Sequence, residues 1–78
     1  MNAAAPHRET DLQMALRHVI EAEARVLRQR ALVARLGPKG GRVADLAHAL
    51  LADFQSDLAA HRAHLARVTP PPPRGARS

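Results

Sequence analysis

A reversal of the chain halfway along the sequence constrains the fold more than any other feature. Two long runs of helix-forming residues are separated by one short stretch, residues 36–42, which reads LGPKGGR. Proline cannot continue a helix, because it lacks the backbone N–H and its ring clashes with the preceding turn. Glycine adopts turn conformations at little steric cost. The stretch therefore predicts an all-α fold, in which two helices form an antiparallel hairpin.

The first helix is expected to span residues 11–36. Thr10 and Gln13 have the spacing of a capping box, in which each side chain satisfies a free N–H of the first turn. Asp11 adds favourable negative charge there, and Gly37 is expected to end the helix in a left-handed conformation. With a step of about 100° per residue, the apolar positions fall on one side of this helix. They are Leu12, Leu16, Val19, Ile20, Val26, Leu27, Val33 and Leu36, supplemented by Ala15, Ala22 and Ala34.

The second helix is expected to span residues 42–68, with Asp45 supplying negative charge in its first turn. Its apolar side consists of Val43, Leu46, Ala47, Leu50, Leu51, Phe54, Leu58, Leu65 and Val68. The hairpin domain is thus expected to cover residues 10–68. Residues 1–9 form a disordered leader in this interpretation. Residues 69–78, which include four consecutive prolines and end in an arginine-containing segment, form a disordered tail.

The apolar arc of the first helix covers about half of its circumference, which is wider than the seam of a two-stranded coiled coil. One neighbouring helix cannot cover that arc. The chain has 78 residues and no cysteine, and chains below about 70–80 residues usually need a disulfide, a metal or a partner subunit. Self-association of two hairpins into a four-helix bundle is therefore predicted.

Charged and polar residues interrupt both apolar sides. Glu23 and Arg30 project into the side of the first helix, and Asp57, His61 and His64 into that of the second. Buried charges persist only when they are paired or hydrogen-bonded. We therefore interpret these five residues as a polar network inside the fold, which sets the register of the bundle.

Metal binding is the alternative for the same region. Asp57, His61 and His64 are spaced i, i+4 and i+7, so they share one helix face, and Glu23 is a fourth candidate ligand. Imidazole and carboxylate ligands in a bundle suit zinc, iron or manganese. The ferritin-like pattern needs Glu-x-x-His motifs that this chain lacks, so no cofactor is predicted. Histidines near carboxylates also suggest pH-sensitive assembly as a hypothesis.

The turn end of the hairpin is basic. No acidic residue occurs between Glu23 and Asp45, and the formal net charge of the chain is +5. Free N–H groups at the start of the second helix are a possible anion site. Its residues would be Arg35, Lys39, Gly40, Gly41 and Arg42. The stretch lacks the spacing of a nucleotide-binding P-loop and has no aromatic residue for base stacking, so nucleic-acid binding is possible but not favoured.

Other function classes have less support. No arrangement of nucleophile, base and orienting residue is visible, so catalysis is not predicted. No apolar run reaches the roughly 18 residues needed to cross a bilayer, and the default expectation is a cytoplasmic protein without a membrane partner. The sequence favours a non-catalytic interaction or scaffold module, which forms homo-oligomers and has an unidentified protein partner.

A resemblance extends over residues 12–68. The layout resembles that of a group of small proteobacterial helical-hairpin proteins of uncharacterised function, and its most specific element is Arg28-Gln29-Arg30. The residues that carry it are His18-Val19, Glu23, Arg28-Gln29-Arg30, Leu36, Leu50-Leu51, Phe54, Leu58 and His61. The resemblance implies a helical hairpin and no particular activity. In the turn, this chain has Gly-Pro-Lys-Gly-Gly where the group usually has an acidic turn with a threonine cap.

Overall fold

The computed structural model describes residues 8–73 and 75. In this part of the chain the elements are helix α1 (Asp11–Leu36), a short 3-10 turn (Gly37–Lys39) and helix α2 (Gly41–Val68), and it contains no strand. Contacts between the helices pair rising residue numbers on α1 with falling numbers on α2. The helices therefore run antiparallel, and the predicted two-helix hairpin is confirmed.

The start of α1 is held by the predicted cap. The Thr10 hydroxyl accepts a hydrogen bond from the Gln13 N–H at 3.0 Å, and the Gln13 side-chain oxygen accepts one from the Thr10 N–H at 2.8 Å. Asp11 lies in the first turn. The prediction is confirmed because capping depends only on residues that are neighbours in the chain.

The turn differs from the sequence-based expectation. Gly37 is not left-handed: its φ is −53° and its ψ is −49°, and its N–H donates to the Val33 carbonyl. The chain instead tightens into the 3-10 turn and reverses at Gly40 and Gly41, whose φ values are 63° and 81°. Because α2 begins one residue earlier than predicted, its first turn contains no acidic residue. The prediction that Asp45 supplies negative charge in this turn is therefore wrong.

The seam between the helices is built mainly from small residues. Buried apolar side chains are Ala15, Val19, Ala22 and Val26 on α1 and Ala44, Ala47 and Leu58 on α2. Leu51, Phe54 and Leu65 are partly buried against this core. Large residues from the predicted apolar sides are exposed instead, namely Leu12, Leu16, Ile20, Leu27, Val43, Leu46 and Leu50. The hairpin therefore uses only part of each apolar arc.

The predicted leader and tail are described only in part. Residues 8–10 precede α1, and residues 70–73 follow α2 without helix or strand. The rest of the leader, residues 1–7, lies outside the described residues. Residues 74 and 76–78 of the tail also lie outside them.

Candidate functional site

One polar side chain is buried in the seam. Gln29 is 7% exposed, and its side-chain amide donates a hydrogen bond to the Ala47 carbonyl oxygen at 2.9 Å. Gln29 belongs to the Arg28-Gln29-Arg30 element of the resemblance, but the sequence did not lead us to predict that it lies in the seam. The spacing along the sequence does indicate its burial. Gln29 lies three residues after Val26 and seven after Ala22, which places all three on one helix face.

One side of the seam, the groove flank, combines an apolar floor with a charged rim. Arg62 donates a hydrogen bond to the Glu23 carboxylate across the two helices, at 3.0 Å. Beside this ion pair lies a shallow groove of about 300 Å³. Its lining consists of Val26, Leu27 and Leu58, with Glu23, Arg30 and Arg62 at the rim. An apolar centre inside a polar rim is the usual layout of a protein interface.

The opposite side, the histidine flank, is defined by two ring contacts between α1 and α2. The rings of His18 and His61 have centroids 5.3 Å apart and planes tilted by 48°. The Arg25 guanidinium lies 5.6 Å from the centroid of the Phe54 ring. A cation over an aromatic face is attracted by the ring quadrupole, so this contact also joins the helices.

The polar network predicted inside the fold does not form within one chain. Glu23 and Arg30 are seven residues apart and belong to the groove flank, whereas Asp57 and His64 share the helical spacing of His61 on the histidine flank. Arg30, Asp57 and His64 are exposed, and Glu23 and His61 are only partly buried. The partner of Glu23 is Arg62 rather than His61. Charged groups lie at the edges of the seam because water stabilises them there.

The same separation means that the four candidate metal ligands of the alternative interpretation do not share one site. Glu23 lies on the flank opposite to Asp57, His61 and His64. Among residues 8–73 and 75, no group of three or more His, Cys, Asp or Glu side chains is arranged to hold a metal ion.

An exposed ion-pair cluster lies at the start of α1. Arg17 contacts the carboxylate of Glu9 at 2.9 Å and that of Glu21 at 3.3 Å. The hydrogen bond from Arg17 lowers the pKa of Glu9, against a smaller opposing effect of desolvation. The same hydrogen bonds raise the pKa of Arg17 further above its ordinary value. This cluster links Glu9, which precedes Thr10, to the first turns of the helix.

The basic turn end is accessible. Arg35, Lys39, Gly40, Gly41 and Arg42 are all exposed. The amino end of α2 has no side-chain cap, and the first N–H groups of an α-helix have no partner within the helix. Positive charge and free N–H groups therefore occur at the same end of the hairpin.

No known protein family, curated protein or solved structure matches this chain. The resemblance to proteobacterial hairpin proteins therefore stays a prediction. In the described part of the chain, neither helix has an apolar segment long enough to cross a membrane.

Proposed function

We propose that this hairpin is a non-catalytic interaction module, and that the groove flank binds a second copy of the same chain to form a four-helix bundle. One observation supports this proposal above all others. Four large aliphatic side chains of α1, Leu12, Leu16, Ile20 and Leu27, lie outside the seam, where a single chain leaves them in water.

The exposed fractions are large for leucine and isoleucine. Leu27 is 65% exposed and Ile20 is 56% exposed, although both belong to a well-formed helix. Burial of apolar surface contributes about 25 cal/mol per Å². Four of the seven buried apolar residues in the seam are alanines, which supply little of this area. A second copy that covers Leu16, Ile20 and Leu27 would add the missing apolar contact.

The charges on the groove flank favour a second copy over an unrelated partner. Glu23 precedes Leu27 by four residues, and Arg30 follows it by three. A two-fold axis near Leu27 would place Glu23 of one copy close to Arg30 of the other, and the reverse contact would follow by symmetry. Arg30 makes no ion pair within residues 8–73 and 75, so its guanidinium is available for this contact.

Light scattering after size-exclusion chromatography tests the proposal. The expected mass is twice the 8.4 kDa of one chain. Leu27→Glu places a charge at the centre of the proposed interface and is expected to reduce the mass to that of one chain. Ala49→Glu introduces the same charge at an exposed position of α2 and should leave the mass unchanged.

Leu46→Glu locates the interface. Leu46 is 59% exposed, and it lies on α2, away from the groove flank. We expect this variant to remain dimeric. Loss of the dimer in Leu46→Glu but not in Leu27→Glu would contradict the groove-flank interface. A wild-type chain that is monomeric at every concentration would contradict the proposal as a whole.

Anion binding at the turn end is the second candidate function. The supporting observation is that every charged residue from Arg25 to Arg42 is positive, because no acidic residue occurs between Glu23 and Asp45. Such a charge run attracts phosphate groups and loses affinity as salt is added.

A gel-shift experiment with a short DNA duplex tests this second candidate. Binding that weakens with salt, and disappears when Arg35, Lys39 and Arg42 are all changed to alanine, would support it. The matched control changes Arg8, Arg17 and Arg67 to alanine, which removes the same charge from the rest of the chain. Equal loss of binding in both variants would contradict a site at the turn.

A further inference from the structure

We propose that His18 and His61 form a binding site for a divalent transition-metal ion, such as Zn²⁺ or Ni²⁺, which links α1 to α2. This pair differs from the candidate ligands considered in the sequence analysis (Glu23, Asp57, His61 and His64), with which it shares only His61. It also lies on the flank opposite to the proposed self-association surface.

The separation of the two rings fits two imidazoles bound to one metal ion. Their centroids are 5.3 Å apart. Two histidine nitrogens bound at about 2.0–2.1 Å with a tetrahedral angle between them would hold the ring centroids about 5 Å apart. Because the centroid distance already agrees with this value, rotation of the rings about their side-chain bonds is the adjustment that would aim one nitrogen of each ring at a common point.

The rings are accessible and have no competing protein partner in the described chain. Both histidines are partly buried at the edge of the seam, and neither ring takes part in a hydrogen bond within residues 8–73 and 75. Partial burial limits the rotamers available to each side chain. A metal ion would therefore bind without a large loss of side-chain entropy.

The surrounding charges favour a cation. Glu21 lies three residues after His18, and Asp57 lies four residues before His61, so each histidine has a carboxylate about one turn away. Glu9 is near enough to His18 for the two to interact electrostatically. The neighbouring cation Arg17 is already paired with Glu9 and Glu21.

The cation Arg25 lies on the same flank, over the Phe54 ring. His64 is exposed one turn beyond His61. On the α1 side, the charges of Glu9 and Glu21 are therefore balanced by those of Arg17 and Arg25, and Asp57 on α2 adds one further negative charge near the pair.

Two protein ligands leave the remaining coordination positions to water. This agrees with the finding that no group of three or more candidate ligands occurs in the described residues. Imidazole nitrogen suits zinc, copper and nickel, whereas magnesium prefers oxygen. The site should therefore bind Zn²⁺ and Ni²⁺ but not Mg²⁺.

Thermal unfolding of the untagged chain with added metal tests the proposal. At pH 7.5 and a Ni²⁺ concentration about tenfold above Kd, the unfolding midpoint should rise by roughly 5 °C. His18→Gln and His61→Gln should each abolish this rise. His64→Gln removes an exposed histidine from the same flank and should retain it, and Mg²⁺ should have no effect on any of the proteins.

A rise of the unfolding midpoint by the same amount in His18→Gln or in His61→Gln would contradict the proposed site. Electron paramagnetic resonance of the wild-type chain with one equivalent of Cu²⁺ gives a second measurement that does not depend on variants folding. Coupling to two imidazole nitrogens is expected. Coupling to one nitrogen only, or a spectrum unchanged from that of free Cu²⁺, would also overturn the site.

Discussion

At the scale of single residues, Gln29 stands out as the one buried polar residue in the described part of the hairpin. Its amide donates to the Ala47 carbonyl oxygen inside a seam that is otherwise apolar. No buried side-chain polar atom in the described residues lacks a hydrogen-bond partner. The contact therefore stabilises one relative position of α1 and α2, because sliding either helix would leave a buried amide without its acceptor.

Gln29→Glu is expected to destabilise the hairpin at neutral pH. The substitution keeps the shape of the side chain but places a carboxylate against a carbonyl oxygen, which should cost about 1–3 kcal/mol. Burial raises the pKa of the new carboxyl group, so the stability difference from wild type should shrink as the pH falls and the donor is restored. Urea unfolding at pH 7 and pH 4 measures both effects.

The exposed Gln55 provides the control for this substitution. Gln55→Glu should change stability by less than about 0.5 kcal/mol at either pH. If Gln29→Glu behaves in the same way, the buried hydrogen bond of Gln29 is contradicted.

The ion pair of Glu9 with Arg17 predicts a pH dependence at the start of α1. Since the folded-state pKa of Glu9 is lowered, its contribution to stability is present above the ordinary carboxyl value of 4.5 and lost as the pH falls below it. A carbon-13 NMR titration should give a midpoint below that value for Glu9. In Arg17→Gln the midpoint should return to the ordinary value, and an unchanged midpoint would argue against the contact.

At the scale of elements, the turn decides where the chain reverses. Gly40 has a φ of 63° and a ψ of −167°, a region that is essentially restricted to glycine. Gly37 has helical angles and begins the 3-10 turn, and the Gly40 N–H donates to its carbonyl at 3.0 Å. The conformational need for glycine therefore lies three residues later than the sequence pattern indicated.

Substitution of the two glycines by alanine should give opposite results. Gly40→Ala should destabilise the hairpin by about 1–3 kcal/mol, because alanine is strained at these backbone angles. A steric clash does not contribute to this cost, because an added Cβ would meet nothing within 4 Å. Gly37→Ala should be neutral or stabilise by up to about 1 kcal/mol. Its Cβ would lie at an ordinary contact distance of 3.7 Å from the His48 ring. Chemical unfolding of both variants measures the difference, and a larger loss in Gly37→Ala would contradict this turn.

At the scale of the whole molecule, stability should depend on protein concentration. A dimer that covers the groove flank gains stability by mass action. Its thermal midpoint should rise by roughly 5–10 °C over a hundredfold increase in concentration. Calorimetry at several concentrations measures this slope. Leu27→Glu should give a midpoint that does not change with concentration, and a flat wild-type curve would contradict self-association.

The sequence by itself determined the two helices, the capped start of α1 and the reversal of the chain into an antiparallel hairpin. These features depend on residues close together in the chain, such as Thr10 with Gln13, or on the length of a short turn.

Only the tertiary structure decided which apolar residues form the seam and which polar residues meet across it. Each apolar arc is wide enough to pack at several rotations of the helix about its axis. The observed rotation buries four alanines (Ala15, Ala22, Ala44 and Ala47) with Gln29 and exposes Ile20 and Leu27. It also places Glu23 and Asp57 on opposite flanks. The rotation of each helix depends on how the small residues of α1 and α2 pack against each other. This packing is a property of both helices together, and the apolar pattern of one helix does not specify it.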